Sequence, residues 1–436
     1  MDAQDAEKYG GKHASGSFGR RGFMKLGGVA AAGLTAAGLP AATGTDRAFG
    51  DVTTLPDPAP EDLEIGGGKT YKNHPSGKHN FVVRDAGQLR NALDEARNGD
   101  IIWVPNDAKI NLSGERNLSM NSGVTLASGR GKNGRPGGLL YTTEYDDPVF
   151  KIYGDNIRIT GLRFRGPRWE WFDPGHGNYG GYTAEGFWLL GASPEIDNCQ
   201  MYGWPHTPIS IGAAGYVVDG HVHHCSLHNN RMEGYGYGVN TYRGDSLIEW
   251  NYFDKNRHCV VGFGYPDNSY EVRNNLIGPN PISHAIDMHG LNQNLSPSKI
   301  QELRDNNVYD FEFPDNVAGG TMKMHHNTFR FIRDKHPKRP QKQEAITIRG
   351  IPHNTADIYS TWFYHKEVPD RKNVDKNGQA YRQDNTGVDN WRNMHVYDNN
   401  NRFGEKPVPP PNVGHPRGAA SLGARLAEEA REILDQ

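Results

Sequence analysis

Two short stretches of this 436-residue chain carry side chains able to move a proton beside a charged group: His284-Ala-Ile-Asp-Met-His-Gly290 and Glu344-Ala-Ile-Thr-Ile-Arg-Gly350. Both alternate as strands do, so Ile286 and Met288 turn to one face while Asp287 and His289 turn to the other. In the second stretch Ile346 and Ile348 point inward, and Thr347 and Arg349 point outward. An imidazole titrates at about 6.5 in solution and takes up a proton near neutral pH. A guanidinium grips a carboxylate with two parallel hydrogen bonds and neutralises charge that builds on it. Abstracting the proton α to the carboxylate of a uronic acid needs both functions. The expectation is therefore His289 as base and Arg349 as the neutralising cation. Asp287 orients the imidazole, and the phenol of Tyr237 protonates the departing glycosidic oxygen.

Such side chains must be carried by a repeated frame. Gly212, Gly238, Gly264 and Gly290 are each 26 residues apart. A second register runs Ile196, Val222, Ile248, Val272 and Met324, followed three residues later by Cys199, Cys225, Asn251, Asn275 and Asn327. Segments such as Ser246 to Phe253 alternate, are rich in β-branched and aromatic residues, and are bounded by Gly, Asn and Asp. A period in the mid-twenties with several short strands per unit describes a coiled solenoid whose turns bury their inner faces on one another. Leucine-rich repeats share the period, but their leucine signature is absent. Asparagines recurring at one turn position suit an amide ladder from coil to coil.

On the glycine clock two outward columns follow: Ile209, Tyr235, Val261, Asp287, Thr347, and Ile211, Tyr237, Phe263, His289, Arg349. Aromatic at one end and charged at the other, the strip suits sugar stacking and carboxylate binding, hence an acidic polysaccharide. Tyr235 and Phe263 are the expected stacking residues. His258 and His284 lie close enough to the groove to touch substrate, although with His206 and Met232 they also read as a plain stack at one turn position. Sixty residues separate Gly290 from Gly350, read as one coil carrying two excursions, about 291–319 and 333–343.

With these repeats the sequence resembles right-handed parallel β-helix proteins of the pectate-lyase-like class. The resemblance implies an all-β solenoid over residues 80–403. A helix within Ala86 to Gly99, with Leu89, Ala92, Leu93 and Ala96 on one face, would cap its open end. The two stretches above, with His326-Asn-Thr-Phe329 between them, further resemble the catalytic region of β-helix lyases of the chondroitinase B and alginate lyase type. In that family a Lys abstracts the proton and an Arg on the next coil assists. His289 falls at the Lys position and Arg349 at the Arg position. The resemblance also implies Ca²⁺, but the family's acidic calcium ligands have no clear counterpart, His284 standing near one of them. A glycoside hydrolase, a uronate epimerase and a non-catalytic glycan-binding surface module remain open beside the lyase. Hydrolysis would need two carboxylates about 5–9.5 Å apart, and Asp287 is the only acid in the two columns.

The remaining sequence sets limits. Lys plus Arg is 48 and Asp plus Glu 51, a formal charge of −3, which offers no basic face for a nucleic acid. Gly19-Arg-Arg-Gly-Phe-Met-Lys25 precedes an apolar run from Leu26 to Leu39, resembling a twin-arginine export signal within residues 1–48. The expected partner is the twin-arginine machinery, and the expected place outside the cytoplasm, with no later stretch apolar enough to span a membrane. Residues 49–79 read as a linker, and 404–436 as a Pro-rich segment followed by a helix from Ala419 to Leu434. Three cysteines make no disulfide scaffold. Cys199 and Cys225 occupy equivalent turns, where a bond is sterically allowed and a stack of two small side chains is favoured. His221-Val-His-His224 with His228 has metal-ligand residue types, but adjacent His223 and His224 face opposite sides of a strand. His223, Glu249, Arg273 and His325 read as a solvated ladder on the second sheet, and Arg339 and Lys342 either as residues able to steer a polyanion or as part of a plain soluble loop.

Overall fold

The computed structural model describes residues 54–145, 148–167, 183–232, 234–314, 316–333, 343–367, 378–384, 392–397 and 400–407. Short strands there pair only with their counterparts on neighbouring coils, always in parallel, and form sheets of 11, nine and eight strands. One coil illustrates the rule: Glu195–Asp197, Gln200–Tyr202 and Thr207–Ile211 enter the three sheets in turn. The chain is a right-handed parallel β-helix.

The inner face follows the period-two pattern. Ile196, Val222, Ile248, Val272 and Met324 are register partners in succession and lie fully inside. Between the first and second sheets the chain turns through one left-handed residue per coil: Asn198, His224, Trp250, Asn274 and His326 have φ of 51, 51, 55, 54 and 53°. That conformation is unfavourable for a side-chain-bearing residue, and the next position offsets it. Cys225 N donates to Asn251 Oδ1 at 2.9 Å, Asn251 N to Asn275 Oδ1 at 2.9 Å, and Asn275 N to Asn327 Oδ1 at 3.1 Å. The expected ladder is present. A second one, not singled out in the sequence, joins Trp204 N to Asn230 Oδ1 at 3.0 Å and Asn230 N to Asn256 Oδ1 at 3.1 Å. Asn275→Ala is expected to cost about 1–3 kcal/mol for each buried group it leaves without a partner, Asn251 N–H first. A lower urea midpoint at unchanged m value would show it; an unchanged midpoint would remove the ladder from the stability argument.

The cysteines close the ladder at one end as free thiols, with Cys199 N 3.5 Å from Cys225 Sγ. Cys259 is also free and packed in the core. The helix Ala86–Glu95 is capped by Asp85, whose side chain accepts from Gln88 N. It packs Leu89, Ala92 and Leu93 into the same core as Val83 and Ile102. The segment read as a linker lies along the solenoid wall from residue 54 onward. Arg130 Nε meets Asp57 Oδ2 at 3.0 Å, Gly66 N donates to Trp250 O at 2.8 Å, and Tyr71 bonds Asp197. Gly67 is required there, because at φ 67° a Cβ would fall 2.3 Å from His224 O. The export signal, the C-terminal helix and the Arg339 and Lys342 readings lie outside the described residues.

Between Gly290 and Gly350 the chain makes one coil, as expected: Asp287 pairs directly with Thr347. The first excursion folds on itself. Leu291–Asn294 and Pro297–Asp305 are helices, the second capped by Ser296 Oγ accepting from Lys299 N at 3.3 Å. Leu291, Ile300, Leu303, Phe313 and Val317 form its own small core.

Candidate active site

The eight-stranded sheet carries the residues of interest, and its register corrects the glycine clock. Ile209 pairs with Val239 and Val239 with Val260, a long step followed by a short one. The column through Asp287 therefore runs Trp188, Ser210, Asn240, Val261, Asp287, Thr347, Arg382. Tyr235 and Ile209 do not belong to it; Ile209 is a core residue. In the next column Tyr242, not Tyr237, adjoins Phe263, their rings 4.2 Å apart, and Phe263 adjoins His289 at 5.9 Å. Glycine spacing misled because an extra turn before Tyr237 lengthens one coil and the next is shorter by a similar amount. Tyr237 instead pairs with His258 and enters the turn stack in place of Met232. Ring centroids there run His206 to Tyr237 at 5.6 Å, Tyr237 to His258 at 5.6 Å, and His258 to His284 at 4.2 Å.

A repeated bulge explains why this stack shares a face with Asp287. Ala285 O accepts both Cys259 N and Val260 N, Ala345 O accepts Ala285 N and Ile286 N, and Ala380 O accepts Ala345 N and Ile346 N. Each coil thus turns two consecutive residues inward, and the residues three apart, His284 and Asp287 or Glu344 and Thr347, both face out. The polar-Ala-Ile-polar pattern shared by residues 284–287 and 344–347 was the available signal.

Asp287 is the centre. Its carboxylate has no exposed surface and accepts Arg349 Nε at 2.9 Å and Nη2 at 2.6 Å. His289 Nε2 and His284 Nε2 each lie 3.0 Å from Asp287 Oδ2, and His258 Nε2 lies 3.8 Å away. Burial alone would raise the Asp287 carboxyl; the charges of Arg349, His284 and His289 outweigh it and hold the group well below the usual carboxylate range. His289 and Arg349 meet as expected, through the shared carboxylate. One feature of Arg349 differs from expectation: its Nε and Nη2 edge is taken by Asp287, and Nη2 also lies 3.0 Å from His284 Nε2. That leaves Nη1 as the guanidinium nitrogen engaged by neither Asp287 nor His284. His289 Nδ1 lies 3.3 Å from Asn294 Oδ1, a contact supplied by the excursion and invisible to strand periodicity. Tyr237 is buried and donates its hydroxyl to Gly234 O at 2.9 Å; burial raises the phenol to about 12. Tyr235 packs edge-on against His206 at 4.5 Å.

Two further carboxylates flank this centre on the same sheet. Glu185 Oε1 lies 2.7 Å from His206 Nδ1, and Glu185 also accepts from Ser210 Oγ and from Trp188 Nε1. Burial would raise Glu185, but His206 and the hydrogen bonds bring it below its ordinary value. Glu344 lies 2.8 Å from Arg382 Nε. On the 11-stranded sheet His223 meets Glu195 at 3.0 Å, while Arg273 meets Glu249 at 2.8 Å and His325 meets Glu271 at 3.1 Å; the ladder of opposite charges is there, but His223 and His325 are buried in it rather than solvated. His221 and His228 do not converge: one bonds Glu249 at 3.1 Å, the other Gln200 at 3.0 Å on another sheet.

Calcium takes about six to eight oxygen ligands. Around the Asp287 carboxylate stand three imidazole nitrogens, those of His284, His289 and His258, and a guanidinium. This set does not fit calcium.

Buried imidazoles make the fold acid-sensitive. Burial lowers His284 and, joined by the charges of His284 and Arg257, His258; it takes His224 and His228 to about 4 and His365 to about 3. Each binds its proton in the unfolded chain at about 6.5 but not in the folded one. Stability is therefore full above that value and falls as pH drops below it. Urea midpoints at pH 7.5, 5.5 and 4.5 should decline in that order; a midpoint constant down to pH 4.5 would contradict the buried neutral histidines.

No family model matches the sequence, and no curated protein matches it. Among solved structures it is similar to an alginate lyase from Paenibacillus sp. strain FPU-7, at 11% identity and TM-score 0.32 over 75% of this chain and 98% of that one. It is also similar to an iota-carrageenase complexed with iota-carrageenan fragments, at 11% identity and TM-score 0.34 over 86% and 99%. A 1,3-α-1,4-β-D-galactose-4-sulfate-3,6-anhydro-D-galactose-2-sulfate 4 galactohydrolase follows at 12% identity and TM-score 0.35, again over 86% and 99%. The assignment of this chain as a parallel β-helix stands on its own strand register.

Proposed function

We propose that this chain is an exported, carbohydrate-active enzyme that cleaves an acidic polysaccharide by β-elimination. The observation that carries the reading is one buried carboxylate joined at once to an imidazole and a guanidinium on the outer face of a rigid sheet. In the reacting tautomer His289 keeps its proton on Nε2, donated to Asp287, and Nδ1 is the basic nitrogen; an unprotonated Nδ1 makes no hydrogen bond to Asn294 Oδ1, so the substrate C–H takes that place. The abstracted proton passes to Nδ1, and the charge left on the uronate carboxylate is met by the Nη1 end of Arg349. The electron pair forms the C4–C5 double bond and expels the glycosidic oxygen, which takes a proton from solvent. Tyr237, expected as that donor, is buried and its hydroxyl is committed to Gly234 O. Phe263 and Tyr242 extend the column as a stacking surface.

Hydrolysis is less well supported. A hydrolase keeps one carboxyl protonated as general acid, whereas Asp287 and Glu185 are pushed down and Glu344 is paired with Arg382. The test is near-ultraviolet absorbance during incubation with alginate, pectate, glucuronan and glycosaminoglycans. Elimination produces a conjugated unsaturated uronate, so absorbance should rise on one of them. New reducing ends without absorbance would overturn elimination in favour of hydrolysis. Uptake of solvent deuterium at C5 without cleavage would overturn it in favour of epimerisation.

A further inference from the structure

We propose that His258, His284 and Asp287 form a binding site for a nitrogen-preferring divalent transition metal, zinc being the reference ion. Three observations converge on it. His258 Nδ1 donates to His284 O at 2.7 Å, which fixes the tautomer and leaves the Nε2 lone pair unprotonated. That Nε2 is fully buried and has no hydrogen-bond partner among the described residues, an arrangement that costs free energy unless a donor or a cation meets the lone pair. It is aimed at Asp287 Oδ2, 3.8 Å away, and His284 Nε2 stands 3.0 Å from the same oxygen. The three donor atoms lie within 4.8 Å of one another. Tetrahedral zinc with bonds of about 2.0 Å separates its ligands by about 3.3 Å, so small side-chain rotations close the set. The backbone bond from His258 Nδ1 is also the outer-shell contact that metal-ligating histidines make.

Two imidazoles and one carboxylate suit zinc and its neighbours in the transition series. In the ion's place, Arg349 Nη2 lies within hydrogen-bond distance of Asp287 Oδ2 and His284 Nε2, acting as the local cation. Metal and guanidinium therefore compete for the same two ligands. Loading the site would turn Arg349 outward and free its Nε and Nη2 edge for a two-point grip on a substrate carboxylate. That consequence rests on the proposed elimination; the site itself does not.

The experiment titrates the full-length, chelator-stripped protein with Zn²⁺ by calorimetry and with Co²⁺ by visible absorption. One equivalent should bind, and millimolar Ca²⁺ should not displace it. His258→Phe should weaken binding by at least about 100-fold, since losing a ligand costs no less than losing an outer-shell partner. Arg349→Gln, which keeps all three ligands and removes the competitor, should tighten it about tenfold. Failure of wild type to bind, unchanged binding in His258→Phe, or weaker binding in Arg349→Gln would each overturn the site. Should His258→Phe not fold, anomalous scattering from zinc-soaked wild-type crystals decides: a peak between His258 and His284 supports the site, and a peak only elsewhere overturns it. Unsaturated product from chelated wild type that binds no zinc would end the metal proposal and leave elimination standing. Zinc bound at this site with no unsaturated product from any uronate polymer would do the reverse.

Discussion

Arg349→Ala should lower kcat/KM on the acidic polysaccharide by about 10²–10³-fold, the effect of removing one preorganised charge partner from a transition state. The same substitution should destabilise the fold by about 3–5 kcal/mol, because it leaves the fully buried Asp287 without its guanidinium. Arg349→Lys separates the two effects. An ammonium keeps the charge but cannot span both Asp287 oxygens as Nε and Nη2 do, so stability should recover more than activity. Chemical denaturation and initial elimination rates on the same preparations would check this. Wild-type rates in a folded Arg349→Ala protein would remove Arg349 from the chemistry, leaving only its structural pairing.

His289→Gln should reduce kcat by about 10²–10⁴-fold, the usual contribution of a positioned base, with a much smaller change in KM. Gln was chosen because its amide can still donate to Asp287 in place of His289 Nε2–H, so the carboxylate keeps a partner on that side. A folded His289→Gln protein retaining the wild-type kcat would place the base elsewhere on the sheet. Asn294→Ala is the companion measurement. It frees Nδ1 from the excursion, so a loss as large as that of His289→Gln would mean the excursion positions the base rather than merely screening it.

Much of this site could be read before any coordinates. Alternation alone put Asp287, His289 and Arg349 on one outward face, and the reading of 291–319 as an excursion made His289 and Arg349 neighbours. The core register from Ile196 to Met324 and the asparagine ladder were also legible, because each repeats at nearly constant spacing and each residue type serves one local need. Tyr235 and Tyr237 were misplaced for the converse reason. Glycines mark turns, and a turn can lengthen while the strands stay in register, so glycine spacing measures chain length rather than pairing.

By itself, then, the sequence determined the solenoid, its inward columns and the identity of the charged pair, since these depend on period and on hydrophobic burial. Three features were decided by tertiary structure alone. The bulges at Cys259–Val260 and Ala285–Ile286 bring His258 and His284 to the Asp287 face, which alternation would turn away. The packed excursion carries Asn294 to His289, a contact between elements that share no period. Sharing of one buried carboxylate among Arg349, His289 and His284 sets which guanidinium edge and which imidazole nitrogen remain for chemistry. Hydrogen-bond competition of that kind depends on ångström distances in a water-poor site, where each acceptor goes to the nearest donors, and no repeat spacing encodes it.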